Sequence, residues 1–262
     1  MRVVVFMKAV RFQPLGGDRF FDVIRGGGVE IVAVVCQTVS LAEQLRRVGA
    51  RVGLSGTIRK IAGRLGTRPK GLPQRSADAL SAPASARPRL RRFNVPSHNG
   101  PECHELLRRL RADVVLLRGT DIVKPATIEA AGTVLNVHYG PLPAIRGVDA
   151  IQWSVLLGLK PTLTLHRVDA GIDTGEIIMT RELPLRGCQS FADVSDHADH
   201  LSPELFRDGC IALGGGGVNA TPNPGELGRQ YYRMHPYLLA LANDRLLADA
   251  SSGEASPTPR AS

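Results

Sequence analysis

Aromatic residues make up only 5% of this 262-residue chain, and there is one tryptophan. Val, Leu, Ile and Ala must therefore supply the packing. The hydrophobic content of 43% is ordinary for a globular protein and allows a sizeable core. The four cysteines, Cys36, Cys103, Cys188 and Cys210, are scattered, with no C-x-x-C pair. That rules out a zinc spacing or a dense disulfide framework, and it reads as free thiols in a reducing cytoplasm. No long hydrophobic run is present. The opening MRVVVFMKAV is too short for a signal peptide with its cleavage site and far below the ~20 residues of a membrane span. A cytoplasmic protein with no membrane partner is the expectation. No internal repeat is found, and oligomeric state is not legible.

Acid is scarce in one place. Residues 51–95 hold eleven Arg or Lys and a single acid, Asp78, enough to account for the whole formal charge of +9. Much of that segment contains Pro69, Pro73, Pro83 and Pro88 with abundant Ser and Ala, so it reads as a basic, irregular insertion.

What is present elsewhere is a βαβ pattern. Val-rich runs at 2–10, 30–36 and 113–117 read as strands buried on both faces. Helices are expected over 18–24, 41–48, 58–65, 102–111, 126–131 and 151–157. Residues 134–137 form a further strand running into His138, and 162–168 and 176–183 are two more. Residues 190–209 read as a helix broken near Pro203 and ended by the glycines at 214–217. The fold expected is α/β: an open, mostly parallel twisted sheet flanked by helices. It divides into 1–205 as the main domain, 206–250 as a short C-terminal extension with one more helix, and 251–262 as a disordered tail.

The chemistry-bearing residues cluster at the end of the 134–137 strand. Asn136 and His138 alternate onto one sheet face near a strand's carboxyl end, where open α/β sheets bind ligands. An amide donor can hold an oxyanion during acyl transfer, and a protonated imidazole can do the same or shuttle protons. A carboxylate would orient the imidazole. Asp173, between glycines in the turn G171-I-D-T-G175, is the best candidate. Taken singly, N-x-H and G-x-D-x-G also have ordinary structural readings.

Together and in order, they resemble the folate-dependent formyltransferase family. The chain reads N136-V-H-Y-G-P-L-P-A-I-R-G147 and V168-D-A-G-I-D-T-G175, and D113-V-V-L-L-R-G119 resembles the family's strand before its folate loop. The resemblance is good over residues 100–190 and weak over 1–50. It implies a Rossmann-like formyltransferase domain with Asn136, His138 and Asp173 as the catalytic trio. It also implies 10-formyltetrahydrofolate as co-substrate, with the pterin bounded by Leu116, Leu117, Arg118, Gly119 and Ile122 on one side and Val168, Asp169 and Gly171 on the other. No metal is needed. His166 matches a histidine near the site in some members; packing beside the pocket is the equal alternative. The acceptor implied is a small-molecule amine, an amino sugar nucleotide or natural-product intermediate, with methionyl-tRNA as the alternative.

Departures from the family pattern bear on that acceptor. Gly140-Pro141 replaces the Ser-Leu of the purine and tRNA enzymes, and no S-G-x-G-S phosphate loop follows the first strand. The residues beyond 205 lack the spaced strands of the tRNA enzymes' β-barrel. Arg118 stands where a small apolar residue is usual, facing either an anionic group or solvent. The basic segment is a solvated insertion, an attractor for a phosphorylated acceptor, or a tRNA contact. Formyltetrahydrofolate hydrolysis and non-catalytic folate binding are rival readings. The first is disfavoured because the first strand starts at residue 2, leaving no regulatory domain before it, and the second because the trio is intact. Three other signals have plainer readings. His197-x-x-His200 is a solvated helix face more than a metal pair, the glycines at 214–217 lack a nucleotide loop's Lys-Ser/Thr, and 229–235 (RQYYRMH) packs a C-terminal element on the core.

Overall fold

The structure is a computed structural model that describes residues 1–9, 19–38 and 90–252. The helices expected at 41–48 and 58–65, the basic segment up to 89, and all but the first two residues of the expected tail lie outside the described residues.

Seven strands form one sheet in the order β3-β2-β1-β4-β5-β7-β8. They are β1 (Arg2–Ala9), β2 (Glu30–Thr38), β3 (Arg92–Val95), β4 (Val114–Arg118), β5 (Thr133–His138), β7 (Thr162–Arg167) and β8 (Ile177–Glu182). The five strands from β3 to β5 are parallel, and β7 and β8 add as antiparallel neighbours. The sheet is therefore mostly parallel, as expected. The chain runs outward from β1 to β3 and then returns to place β4 on the other side of β1. This reversal opens a crevice at the carboxyl ends of β1 and β4.

Alternation along β1 explains the layering. Val3, Val5 and Met7 face one side with Phe20, Phe21, Leu205 and Phe206; Val4 and Phe6 face the other with Leu106, Leu107 and Leu110. The first side is covered by α1 (Arg19–Arg25), α4 (Ala150–Leu156), α5 (Phe191–Gly214) and α6 (Pro236–Ser252). The second is covered by α2 (Pro101–Leu110) and α3 (Pro125–Ala131). No helix among the described residues is long and apolar enough to cross a membrane.

The structure corrects three expectations. Residues 92–95, assigned to the irregular insertion, are β3. Their carboxyl-side neighbours bury His98 against Phe6, with ring centroids 4.3 Å apart, which docks this edge despite its basic sequence. Pro203 does not break α5, which is continuous for 24 residues and crosses the boundary drawn at 205. Pro203 and its neighbour Ser202 are buried on the face packed toward the sheet, and Arg19 donates to the His200 carbonyl in the turn that the proline disturbs. Packing here outweighs a helix penalty of about 3 kcal/mol. Helix α6 runs through Ser252, so the tail drawn from 251 begins in helix. A second sheet was not anticipated: β6 (Ile145–Gly147) pairs in parallel with β9 (Arg229–Tyr231).

Leu135 lies fully buried between β4 and β7. Leu135→Ala should lower unfolding free energy by about 2–5 kcal/mol in urea titration; a loss under about 1 kcal/mol would contradict this packing.

Candidate active site

The cleft at the switch point has a volume of about 850 Å³. One wall is the loop after β4 and the opposite wall the loop 168–173, and Asn136 and His138 lie between them at the end of β5. Of the residues singled out in the sequence, Leu117, Arg118, Gly119, Ile122, Asn136, His138, His166, Val168, Asp169, Gly171 and Asp173 line it. Leu116 does not. It is fully buried in mid-strand, registered against Val5 and Leu135.

The three expected catalytic side chains converge, and His166 joins them. The antiparallel register sets Asn136 opposite His166, and the Asn136 Nδ2 to His166 Nε2 distance is 3.2 Å. His138 Nδ1 is 3.4 Å from Asp173 Oδ2, and His166 Nε2 is 3.6 Å from Asp173 Oδ1. Each histidine's other nitrogen meets a backbone carbonyl: His138 Nε2 with Ile145 O at 2.9 Å, His166 Nδ1 with Arg167 O at 2.6 Å. A carbonyl only accepts, so those nitrogens carry the protons. In the neutral rings, the nitrogens facing Asp173 are then bare. Asn136 can donate to His166, while the carboxylate confronts two acceptors. Both contacts turn attractive only when a proton arrives.

Both nitrogens of His138 face protein acceptors, and the Asn136 amide keeps a second N–H beyond the one directed at His166.

Asp173 has a backbone φ of 54°, the left-handed region. Its carboxylate accepts from the Gly147 N–H at 2.9 Å. Gly147 has a φ of 95° and lies against the Tyr231 carbonyl, where a side chain would collide. Burial raises the Asp173 pKa, but a hydrogen bond from His166 and the His138 charge, both present only once those rings take up a second proton, join the Gly147 N–H to hold it below 3.8. His138 shifts below the ordinary 6.5, chiefly through burial and partly through His166, against the opposing pull of Asp173 and the Ile145 carbonyl. A carboxylate beside a neutral His138 is the resting state.

Further side chains contribute. Asn99 brackets the loop after β4, donating to Ile122 O at 2.9 Å and accepting from Lys124 N at 2.8 Å. Lys8 pairs with Asp121, and Gln37 reaches the same carboxylate at 3.0 Å. Tyr139 donates to Asp199 at 2.7 Å, tying the end of β5 to α5. Arg118 stacks its guanidinium 4.5 Å from the Phe20 ring centroid. Arg118, Tyr139, Arg146 and Gly147 stand inside the quoted motifs and so were within reach of sequence reasoning. The others depend on distant partners.

The sequence model described as formyl transferase matches residues 21–208. A methionyl-tRNA formyltransferase of Chromohalobacter salexigens is 30% identical over 128 residues, which is 48% of this chain and 39% of that protein. One of Ruminiclostridium cellulolyticum is 32% identical over 130 residues, 48% of this chain and 42% of that protein. The chain thus spans less than half the length of these curated relatives. Among solved structures, glycinamide ribonucleotide transformylase 1 from Symbiobacterium toebii superposes with a TM-score of 0.54 at 18% identity, covering 82% of this chain and 88% of that one. A 4-N formyltransferase from Francisella tularensis gives a TM-score of 0.53 at 14% identity, covering 94% and 87%. At those identities the likeness establishes the fold.

The buried histidines also set an acid sensitivity. His138 and His98 are both held below 6.5, primarily by burial. Below pH 6.5 the unfolded chain binds more protons than the folded one, so stability falls as pH drops toward the folded-state values. Asp173 adds a further loss only below its ordinary 3.8. Urea unfolding at a series of pH values should therefore show a shallower acid loss below pH 6.5 for His138→Gln than for the wild type; matching slopes would contradict a buried neutral His138.

Proposed function

The chain belongs to the formyl transferase family, and on that premise we propose that it transfers a formyl group from 10-formyltetrahydrofolate to the primary amine of a small molecule. The observation that supports this reading most is the meeting of Asn136, His138 and Asp173 at one cleft inside the matched region. An amide donor, an imidazole and a carboxylate are the groups that amine acylation requires.

The donor's pterin would lie between the loop after β4 and the loop 168–173, with its N10-formyl group directed at Asn136. An uncharged amine attacks the formyl carbon, forming the new C–N bond and a tetrahedral oxyanion. Asn136, steadied by His166, donates its second N–H to that oxygen. The attacking nitrogen becomes cationic and must lose a proton. Asp173 and the bare Nδ1 of His138 take it, through water where the span requires, and return it to N10. The C–N10 bond then breaks, giving the formamide and tetrahydrofolate. Atoms and charge balance without another reactant.

For the acceptor, an amino sugar nucleotide or natural-product amine is the first reading. The cleft's size supports it, since a volume of about 850 Å³ suits a folate head and a second small substrate. Methionyl-tRNA is the second reading, favoured by the curated relatives, which match about half of the chain.

Purified protein incubated with 10-formyltetrahydrofolate against a panel of amines, methionyl-tRNA included, should yield a formylated product detected by mass. His138→Ala should reduce turnover by about 100- to 10,000-fold and leave donor binding within about twofold. Asn136→Ala should reduce kcat by about 100- to 1,000-fold. Undiminished turnover in His138→Ala would defeat the mechanism.

A further inference from the structure

We infer that Asn223, from the segment after α5, is a positioning residue that sets the Asp173 carboxylate, so that this segment is a working part of the active site. Its relevance to formyl transfer rests on the function proposed above; the geometry stands independently.

Asn223 is 3% exposed. Its Nδ2 donates to the Asp173 carbonyl at 2.9 Å and to the Gly175 carbonyl at 3.0 Å. Only an amide nitrogen can serve two carbonyls at once, which fixes the orientation of the side chain. Its Oδ1 has no partner among the described residues, so every hydrogen bond of this side chain is spent on the 173–175 turn. The two carbonyls bracket Thr174, and gripping them fixes the peptide planes on the carboxyl side of Asp173. That residue has a positive φ, which needs support from its surroundings.

The segment carrying Asn223 is itself anchored on both sides. Thr221 exchanges two backbone hydrogen bonds with Ile177 at 2.8 and 2.9 Å. Arg146 reaches Gly225 O at 2.7 Å, Gly228 O at 3.3 Å and Ile172 O at 3.5 Å, so one guanidinium joins the segment to the residue before Asp173. Gly228 lies so close to the Pro143 carbonyl that a side chain would collide. The Asp173 turn is thus held from Ile172 by Arg146 and beyond Asp173 by Asn223. The carboxylate between them is aimed at Gly147 N, His138 and His166. Removing the Asn223 donors frees one side of this grip. A shift of about 1 Å in a catalytic group can cost 100-fold in rate.

The test is a histidine titration by NMR on the full chain, with no ligand, comparing wild type, Asn223→Ala, Asn223→Ser, Asn223→Asp and Asp173→Asn. His138 is read because Asp173, His166 and the Ile145 carbonyl face it and only the first is expected to move. In Asn223→Ala and Asn223→Ser the His138 midpoint should shift in the same direction as in Asp173→Asn and by at least half as much; Asn223→Asp brings a charge that itself raises the midpoint, so its effect is read at the Gly147 N–H resonance that Asp173 holds. Asn223→Asp should be at least as disruptive as Asn223→Ala, because an isosteric carboxylate repels both carbonyls. A packing role predicts the reverse order, since only alanine leaves a cavity. A His138 midpoint unmoved by Asn223→Ala and Asn223→Ser, or alanine alone causing damage, overturns the inference. If Asn223→Ala does not fold, Asn223→Asp and Asn223→Ser carry the comparison. Rapid solvent exchange of the Asn223 side-chain amide in the wild type overturns it without any variant. Where formyl transfer is established, kcat should fall about 10- to 100-fold, with the donor KM within about twofold. Failure to find any acceptor bears on the proposed reaction and leaves the titration result intact.

Discussion

A carboxylate at the mouth of a sheet sets the terms for everything around it. Asp173 retains 16% side-chain exposure and remains ionised, so its charge needs hydrogen-bond donors or cationic partners close by. One backbone N–H, that of Gly147, is the only fixed donor the described residues give it. Two imidazoles supply the rest conditionally, because their protons point to carbonyls elsewhere. The carboxylate is therefore held by backbone geometry more than by charge pairing. That explains the concentration of unusual backbone around it: positive φ at Asp173 and Gly147, and glycines at 175 and 228 where a Cβ would strike a carbonyl.

The same device holds both walls of the cleft. On one side the Asn99 amide brackets residues 122–124 of the loop after β4; on the other the Asn223 amide brackets residues 173–175. A side-chain amide carries donors and an acceptor in one plane, so it can grip a loop much as a strand would. Loops gain no hydrogen-bond partners from the sheet ladder, and a cleft between two of them would otherwise vary in width. The sheet supplies the position of Asn136 and His138, and the amide brackets supply the position of what faces them.

Much of this was legible before any coordinates. Val-rich runs such as 3–5 and 30–36 announce buried parallel strands. The N-x-H spacing forces Asn136 and His138 onto one face, and the Gly-flanked Asp173 announces a tight turn. What escaped shares a cause. His166 was named beside the site, but its pairing with Asn136 depends on β7 joining antiparallel in one register, and a one-residue slip would have sent it to the opposite face. Asn99 and Asn223, and Arg146 despite its place in the quoted motif, act on backbone carbonyls and amides, which every residue has, so no residue-type pattern marks their targets. Helix α5 passes through Pro203 because tertiary packing outweighs local propensity, and β3 hides in a basic stretch because its strand is only four residues long.

Burial gives the arrangement its chemical direction. A histidine meant to store a proton would sit in contact with solvent and its carboxylate, with its pKa raised. His138 is 6% exposed, and burial moves it the other way. Its imidazolium is then a stronger acid than a free one, which in the reaction proposed above would favour release of the proton toward the departing nitrogen. Asp173 is the complement: its pKa is lowered, so it stays anionic and in that reaction would stabilise a proton in transit. His166 Nε2 lies 3.6 Å from the other carboxylate oxygen. In the reaction proposed above, a neutral amine would not meet a cation at His138, and the cation formed on attack would meet the Asp173 carboxylate. The sign of each shift favours relay over storage, which is what a reaction that takes one proton from the nucleophile and gives it to the leaving group requires.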